Sequence, residues 1–246
     1  MKAVIFNSGL GNRMGEFTKT HHKSMARLKD GESVFHRQLR ILSAEGINEF
    51  IVTTGPFADQ LKEEAADFPN CKFTFVPNDI YDKTNYIYSM FLAREHMNDD
   101  LVFLHGDLVF NRKLVHDVLC CEDKNTATVN FVKPLPEKDF KGRVQDGKVL
   151  EVGIHIFDED CHAFQPFYKM DKATASAWIG KVVEYIHKGE DKCYAENALN
   201  EIFPALNVRV FSYDDYFIEE IDNLEDYDRV TADIIPFDEA DAKIFG

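Results

Sequence analysis

The chain has 246 residues, 45% hydrophobic and 29% charged, which suits one α/β domain with a sizeable core. With 28 basic and 43 acidic residues its formal charge is −15; such a surface repels nucleic-acid backbones and leaves room for a small anion only in a local basic pocket. No apolar run approaches the roughly 20 residues of a bilayer span. The apolar start at 2–6 is broken too early by Asn7, Ser8 and Gly9 to be a signal peptide, and five cysteines, an odd number with no CxxC pair, fit a reducing cytoplasm.

In chain order, the wholly apolar run 2–6 reads as a strand buried on both faces. A glycine-rich loop follows, over 7–15. Val34, Phe35, Leu39, Ile41 and Leu42 space a helix over 33–45, ended by Gly46. A strand is expected at 49–54, a helix at 57–66, a short strand at 72–76 and a helix at 85–97. The apolar run 101–104 is a fourth strand, leading into His105, Gly106 and Asp107. The alternation predicts a three-layer α/β/α, Rossmann-like fold with a mostly parallel central sheet. Cys120 and Cys121 read as core thiols. The second half reads as a strand at 126–132, a hairpin turning at Asp146-Gly147 with sheet continuing over 149–157, helices at 172–187 and 195–203, a strand at 207–213 and a last helix at 224–234 capped by Asn223. The whole, 1–246, is expected as a single domain: a nucleotide-binding half, 1–125, and a lid and acceptor-binding half, 126–246.

Sheets of this kind take ligands beyond the carboxyl ends of their strands, where the glycine loop and Asp107 both fall. Gly9, Gly11 and Arg13 form G-x-G-x-R after a strand. The glycines let backbone N–H groups approach a phosphate, and the fixed cation neutralises it. No Gly-Lys-Ser/Thr follows, and the next glycine, Gly15, is a step late for a dinucleotide fingerprint. Lys23 can reach back over the loop. Asp107 is placed to hold Mg²⁺ on a triphosphate, and Asp222, just before the last helix, can complete the metal site. The nine histidines show no zinc-ligand spacing with the cysteines.

Residues 1–14, Phe17-Thr18 and Lys23-Ser24-Met25, then Gly46-Ile47-Asn48, Gly106-Asp107 and Glu220-Ile221-Asp222, resemble in order the signature of the sugar nucleotidyltransferase superfamily, across essentially the whole chain. The block 78–90, with Asn78, Asp79, Tyr81, Asn85, Tyr88 and Ser89, is similar to that of bacterial phosphocholine cytidylyltransferases and their phosphonate and phosphoramidate relatives. The chain departs from the pattern in three places: Phe6-Asn7-Ser8-Gly9 stands for L-A-A-G, His22 for the proline before the lysine, and Tyr86 for the second asparagine of an N-N pair.

The resemblance implies a Mg²⁺-dependent transfer from CTP to a small phosphorylated acceptor, for decoration of a surface polysaccharide or lipid, by a monomer or homodimer. It implies catalytic roles for Arg13, on the β- and γ-phosphates, and Lys23, on the α-phosphate. Phe6, Asn7, Ser8, Gly9, Leu10, Gly11, Asn12, Asn78, Thr84, Asn85, Ser89 and Gly106 join them around the nucleotide. Tyr88, Glu196 and Asn197 are implied at the acceptor, and Asp107 and Asp222 at the metal. Aromatic walls for a cationic acceptor are sought among Phe164, Phe167, Tyr168, Trp178 and Tyr194, each of which also suits a core position. A sugar-1-phosphate nucleotidyltransferase using another NTP, a GT-A glycosyltransferase and a catalytically silent homologue are the alternatives.

Overall fold

The computed structural model describes residues 1–9 and 11–246. Four strands, β1 (Lys2–Asn7), β2 (Glu49–Thr54), β3 (Lys72–Pro77) and β4 (Leu101–His105), run parallel in the order β3-β2-β1-β4. They are joined through α1 (Val34–Ala44), α2 (Ala58–Ala65) and α3 (Tyr86–Ala93), the last continued by a 3₁₀ turn, Arg94–His96. Side chains alternate across β1. Ala3 and Ile5 pack with Phe35 and Leu39 of α1 and Leu61 of α2, whereas Val4 and Phe6 pack with Ile87 and Met90 of α3. Both faces are therefore buried, which is why β1 reads as an unbroken apolar run.

A short strand, β5 (Leu108–Phe110), and a helix, α4 (Arg112–Cys120), come next. The first turn of α4 is capped from far away: Asp241 accepts from the backbone N–H groups of Arg112 and Lys113 and from the Asn111 side chain. The second half supplies β6 (Thr126–Asn130), β7 (Lys141–Gln145), β8 (Lys148–Gly153), β9 (Cys161–Met170), α5 (Lys172–His187), α6 (Ala195–Asn200), β10 (Arg209–Ser212), β11 (Ile218–Glu220), α7 (Leu224–Asp233) and α8 (Ile235–Phe245). The β7–β8 hairpin turns at Asp146 and Gly147, both with positive φ (52° and 71°), as a two-residue hairpin requires.

The sheet is parallel only in part. β9 runs antiparallel between β4 and β6, and its first residues also pair with β7. Pairings β9-β6-β10-β8-β7-β9 thus close a ring at one end of a nine-stranded sheet that runs unbroken through both halves of the chain. Helices α5 and α6 join α3 on one face, through Trp178, Val182 and Ala198, and α4 joins α1 and α2 on the other. Sheet expected through 149–157 stops at Gly153, because the chain leaves the ladder before returning as β9. Cys120 is exposed and Cys121 half-buried, so the expected core thiols are not in the core.

Candidate active site

β1 and β4 are neighbours in register, Phe6 opposite His105, so the loops after them open side by side. Their contact is close: a Cβ at Gly106 would lie 1.6 Å from the Asn7 side-chain oxygen, so only glycine fits there. Gly11 has φ 63°, and a Cβ on it would meet Lys23 Cβ at 2.9 Å. Both the backbone turn and the close approach thus require glycine. Leu10, expected at the nucleotide, lies outside the described residues.

A two-stranded ladder carries the acidic half of the site. β11 pairs antiparallel with β5, setting Glu220 opposite Leu108, and the Ile221 amide donates to the Asp107 carbonyl at 3.1 Å. Glu220 and Asp222, two residues apart, are thereby delivered to the end of β4 beside Asp107. Glu219, between Phe217-Ile218 and Glu220, pairs instead with Lys133 and Arg229.

Lys23 is the centre of the arrangement. Its ammonium lies 2.5 Å from Asp107 Oδ2 and 2.7 Å from Asp222 Oδ1, and Arg13 reaches the other Asp222 oxygen at 2.8 Å. Burial opposes the charge on Lys23, but the two carboxylates outweigh it and hold its pKa above the usual lysine value. Burial likewise opposes the charge on Asp107, and Lys23 and His105 bring its pKa below the usual carboxylate value. Glu220 goes the other way: burial, then the charge of Asp107, push it up to about 7. It meets His105 Nδ1 at 3.2 Å. His105 is desolvated, but Glu220 and Asp107 raise its pKa above the ordinary value.

These groups line a cleft of about 440 Å³. One side is polar, with Gly9, Gly11, Asn12, Arg13 and Lys23. The opposite side is aromatic. Phe6 and Tyr86 sit 5.0 Å apart, Phe140 and Tyr194 also 5.0 Å, and Tyr86 and Tyr194 6.5 Å. Ile154, Lys138 and Asp139, from the loops flanking the hairpin, close the mouth.

The sequence-predicted residues divide. Phe6, Ser8, Gly9, Gly11, Asn12, Arg13, Lys23, Asn85, Asp107 and Asp222 line the cleft, and Asn7 and Gly106 lie just behind it, on a cavity of about 80 Å³. Asn78, Thr84 and Ser89 do not face the cleft; Asn78 donates to Thr84 and to Ser89, whose hydroxyl meets that of Ser8 at 2.6 Å. This buried chain reaches the cleft only through Ser8. Tyr88 stacks on Phe91 away from the site. Glu196 is buried under the aromatic wall, accepting from Tyr86 and, at 2.9 Å, from Tyr168. The Asn197 side chain accepts from the Tyr194 backbone N–H at the start of α6. Of the five candidate aromatic walls, Phe164, Phe167, Tyr168 and Trp178 are core, and Tyr194 alone borders the cleft.

Sequence reasoning missed Glu220, His105, Tyr86, Phe140 and Asp139 as site residues. Glu220 carried a signal only in its place two residues before Asp222, within the Glu220-Ile221-Asp222 of the signature.

The acidic cluster suits a hard divalent cation. Oxygens of Asp107 and Glu220 lie with His105 within 4.8 Å of one another, as do those of Asp139, Glu220 and Asp222. Among the described residues, Asp107 Oδ1 is buried without a hydrogen-bond partner. An oxygen-rich donor set with one carboxylate oxygen to spare fits Mg²⁺.

Parallel strands that end in a glycine loop, with opposed cations and carboxylates at their carboxyl ends, suit a nucleoside triphosphate and its metal ion. The chain belongs to the MobA-like NTP transferase domain family, which matches residues 3–136. It is 23% identical over 238 residues to a choline-phosphate cytidylyltransferase of Haemophilus influenzae, covering 96% of this chain and 98% of that one. It is 26% identical over 239 residues to a bifunctional IPC transferase and DIPP synthase of Archaeoglobus fulgidus, where 96% of this chain spans only 44% of the relative. The solved CTP:phosphocholine cytidylyltransferase of Streptococcus pneumoniae superposes with a TM-score of 0.77 at 21% identity, over 95% of this chain and 98% of that chain. Among the described residues, no helix is long and apolar enough to cross a membrane.

Proposed function

We propose that the protein is a Mg²⁺-dependent cytidylyltransferase that moves CMP from CTP to a small phosphorylated acceptor and releases pyrophosphate. The observation that carries this reading is Lys23 held between Asp107 and Asp222 at the mouth of the glycine loop, with Arg13 on the same Asp222. The base assignment rests on the resemblance of the block 78–90 and on relatives named as cytidylyltransferases.

An oxygen of the acceptor phosphate attacks the α-phosphorus in line. The new O–P bond forms as the bond to the β-phosphate oxygen breaks, and that oxygen leaves on pyrophosphate. The nucleophile is already anionic, so no side chain need take a proton, and catalysis is positioning and charge neutralisation. Arg13, exposed at the cleft edge, meets the β- and γ-phosphates; Lys23 meets the α-phosphate and the charge that develops there. Asp107, Asp222 and Glu220 would hold Mg²⁺, which when bound supplies positive charge to the phosphates. Tyr86, Phe140 and Tyr194 form the acceptor's wall, with Glu196 fixing the Tyr86 ring from below.

Pyrophosphate release is measured with each of the four NTPs against a panel of phosphorylated acceptors, with and without Mg²⁺. Release that needs CTP, an acceptor and Mg²⁺ together is expected. Release that prefers another NTP removes the base assignment, and transfer from an NDP-sugar in its place removes the reaction.

A further inference from the structure

His22 stands where the related signature has proline, and its ring is fully engaged. It is 4% exposed. Nε2 lies 2.7 Å from the backbone carbonyl oxygen of Asn7, the last residue of β1. Nδ1 lies 2.8 Å from the Ser24 hydroxyl and 3.2 Å from the Ser24 backbone N–H. A carbonyl only accepts and a backbone N–H only donates. The contacts therefore fix the tautomer: Nε2 carries the proton and Nδ1 accepts. A charged imidazolium, with a proton on each nitrogen, would face the Ser24 N–H donor to donor. Burial, with the charge of Lys23, lowers the His22 pKa to about 4, against the pull of the Asn7 carbonyl, which is consistent with a neutral ring.

The neighbours give this ring a consequence. Nδ1 caps the 3₁₀ turn Lys23–Met25, and Nε2 ties that turn to the end of β1, where the glycine loop begins. The His22 backbone N–H adds a third tie, to Gln60 of α2 at 2.9 Å. Lys23, the next residue, must place one ammonium within 2.7 Å of two carboxylates that follow different strands, β4 and β11, while its Cβ packs against Gly11. A proline there could offer neither the ring donor to Asn7 nor the backbone donor to Gln60.

We infer that His22 is a positioning residue for Lys23, acting as a neutral, Nε2-protonated bracket that joins the Lys23 turn to the glycine loop through the Asn7 carbonyl. It touches no substrate and acts through Lys23. The inference rests on the reading of Lys23 as the α-phosphate residue. A displacement of the ammonium should therefore appear in turnover rather than in nucleotide binding, since a group needed mainly in the transition state affects kcat.

The test compares three variants with the wild-type chain. His22→Gln keeps an N–H that can reach Asn7, His22→Asn keeps an acceptor for Ser24, and His22→Phe keeps neither. Misplacement by about 1 Å can cost on the order of a hundredfold, so His22→Phe is expected to lower kcat by about ten- to a hundredfold, with KM for CTP changed by less than about threefold. His22→Gln is expected to recover most of that loss, and His22→Asn little of it. Equal losses in Gln and Phe, or a Phe variant with wild-type kcat, would overturn the proposal. Side-chain ¹⁵N NMR of His22 in the wild-type chain needs no substrate and no folded variant: the Nε2–H tautomer at neutral pH is the expected result, and Nδ1–H or a doubly protonated ring would overturn it. Absence of turnover with CTP in the wild-type chain, with the Nε2–H tautomer observed, would count against the functional reading and leave the bracket standing.

Discussion

Replacing Lys23 by methionine keeps the length and packing of the side chain and removes its charge. In the wild-type chain that ammonium faces Asp107 at 2.5 Å and Asp222 at 2.7 Å, all three side chains being 13–17% exposed. Asp222 keeps Arg13 after the change, but Asp107 is left without a cation beyond His105. Removing one partner of a buried ion pair costs about 3–5 kcal/mol; a group opening on a cleft belongs near about 3 kcal/mol. The loss should depend on pH in a defined direction. Asp107 has a pKa below its unfolded value, so it stabilises the fold above that value and this contribution is lost as pH falls. The gap between wild type and Lys23→Met should therefore hold from pH 7 down to the unfolded value of 3.8 and narrow only below it. A divalent cation takes the place of the missing charge, so Mg²⁺ should stabilise the variant, by about 2.7 kcal/mol at a hundred times its Kd, and the wild type by less. Urea unfolding at about pH 7 and about pH 3, with and without Mg²⁺, measures all three. A variant as stable as the wild type at pH 7 without metal, or one indifferent to Mg²⁺, would refute the reasoning. In turnover the same variant should lose about 10²–10³, as loss of one transition-state donor does.

Other outcomes follow from single contacts. Gly106→Ala drives a Cβ into the Asn7 side chain and should cost about 1–3 kcal/mol in thermal or urea unfolding; the same change in an Asn7→Ala background should cost clearly less, and equal costs would show that the clash is not the cause. Arg13→Ala, at a side chain 63% exposed, should leave stability within about 0.5 kcal/mol and weaken the CTP dependence of pyrophosphate release. Glu220→Gln tests the raised carboxyl: Glu220 titrates near 7 in the fold, so its stabilising protonated form is present below its unfolded pKa of 4.5 and is lost as pH rises toward 7. Without divalent cation the wild type should therefore lose stability relative to Glu220→Gln across that window, by up to about 3 kcal/mol; parallel pH profiles would exclude the shift.

How much of this was legible in the sequence depends on where each signal lay. β1 and β4 carry continuous apolar runs, 3–6 and 101–104, because both faces are covered, and such a run is readable without knowing the partner strand. β9 was not readable. It holds His162, Gln165 and Lys169 among its apolar residues and Pro166 in mid-strand, which argues against a central position. The ladder admits the proline through a register shift, Ala127 opposite Tyr168 but Thr128 opposite Gln165. The bulge lies in β9 itself, where Pro166 and Phe167 are left out of the pairing with β6, but it shows only in the register against β6. Helix α4 has the same character, because its cap comes from Asp241, 129 residues after Arg112. Gly9, Gly11, Asn12, Arg13 and Asp107 were legible because they sit within a few positions of β1 or β4, whereas Lys23 and Asp222 were read from the ordered signature. Of the aromatic side only Tyr194 was legible: Tyr86, Phe140 and Tyr194 come from three separate parts of the chain and meet only through the closed ring and α6.

The central claim, transfer of CMP to a phosphorylated acceptor at the Lys23 site, is tested most directly by following CTP carrying label on its α-phosphorus or on its β- and γ-phosphorus. The purified chain, Mg²⁺ and a mixture of phosphorylated acceptors are supplied, and the products are separated and identified by mass. The α-label is expected in a CDP-linked product and the β,γ-label in pyrophosphate, in equal amounts, with both lost in Lys23→Met. Label from the β- or γ-phosphate in the acceptor product, or an undiminished yield from Lys23→Met, would contradict the account.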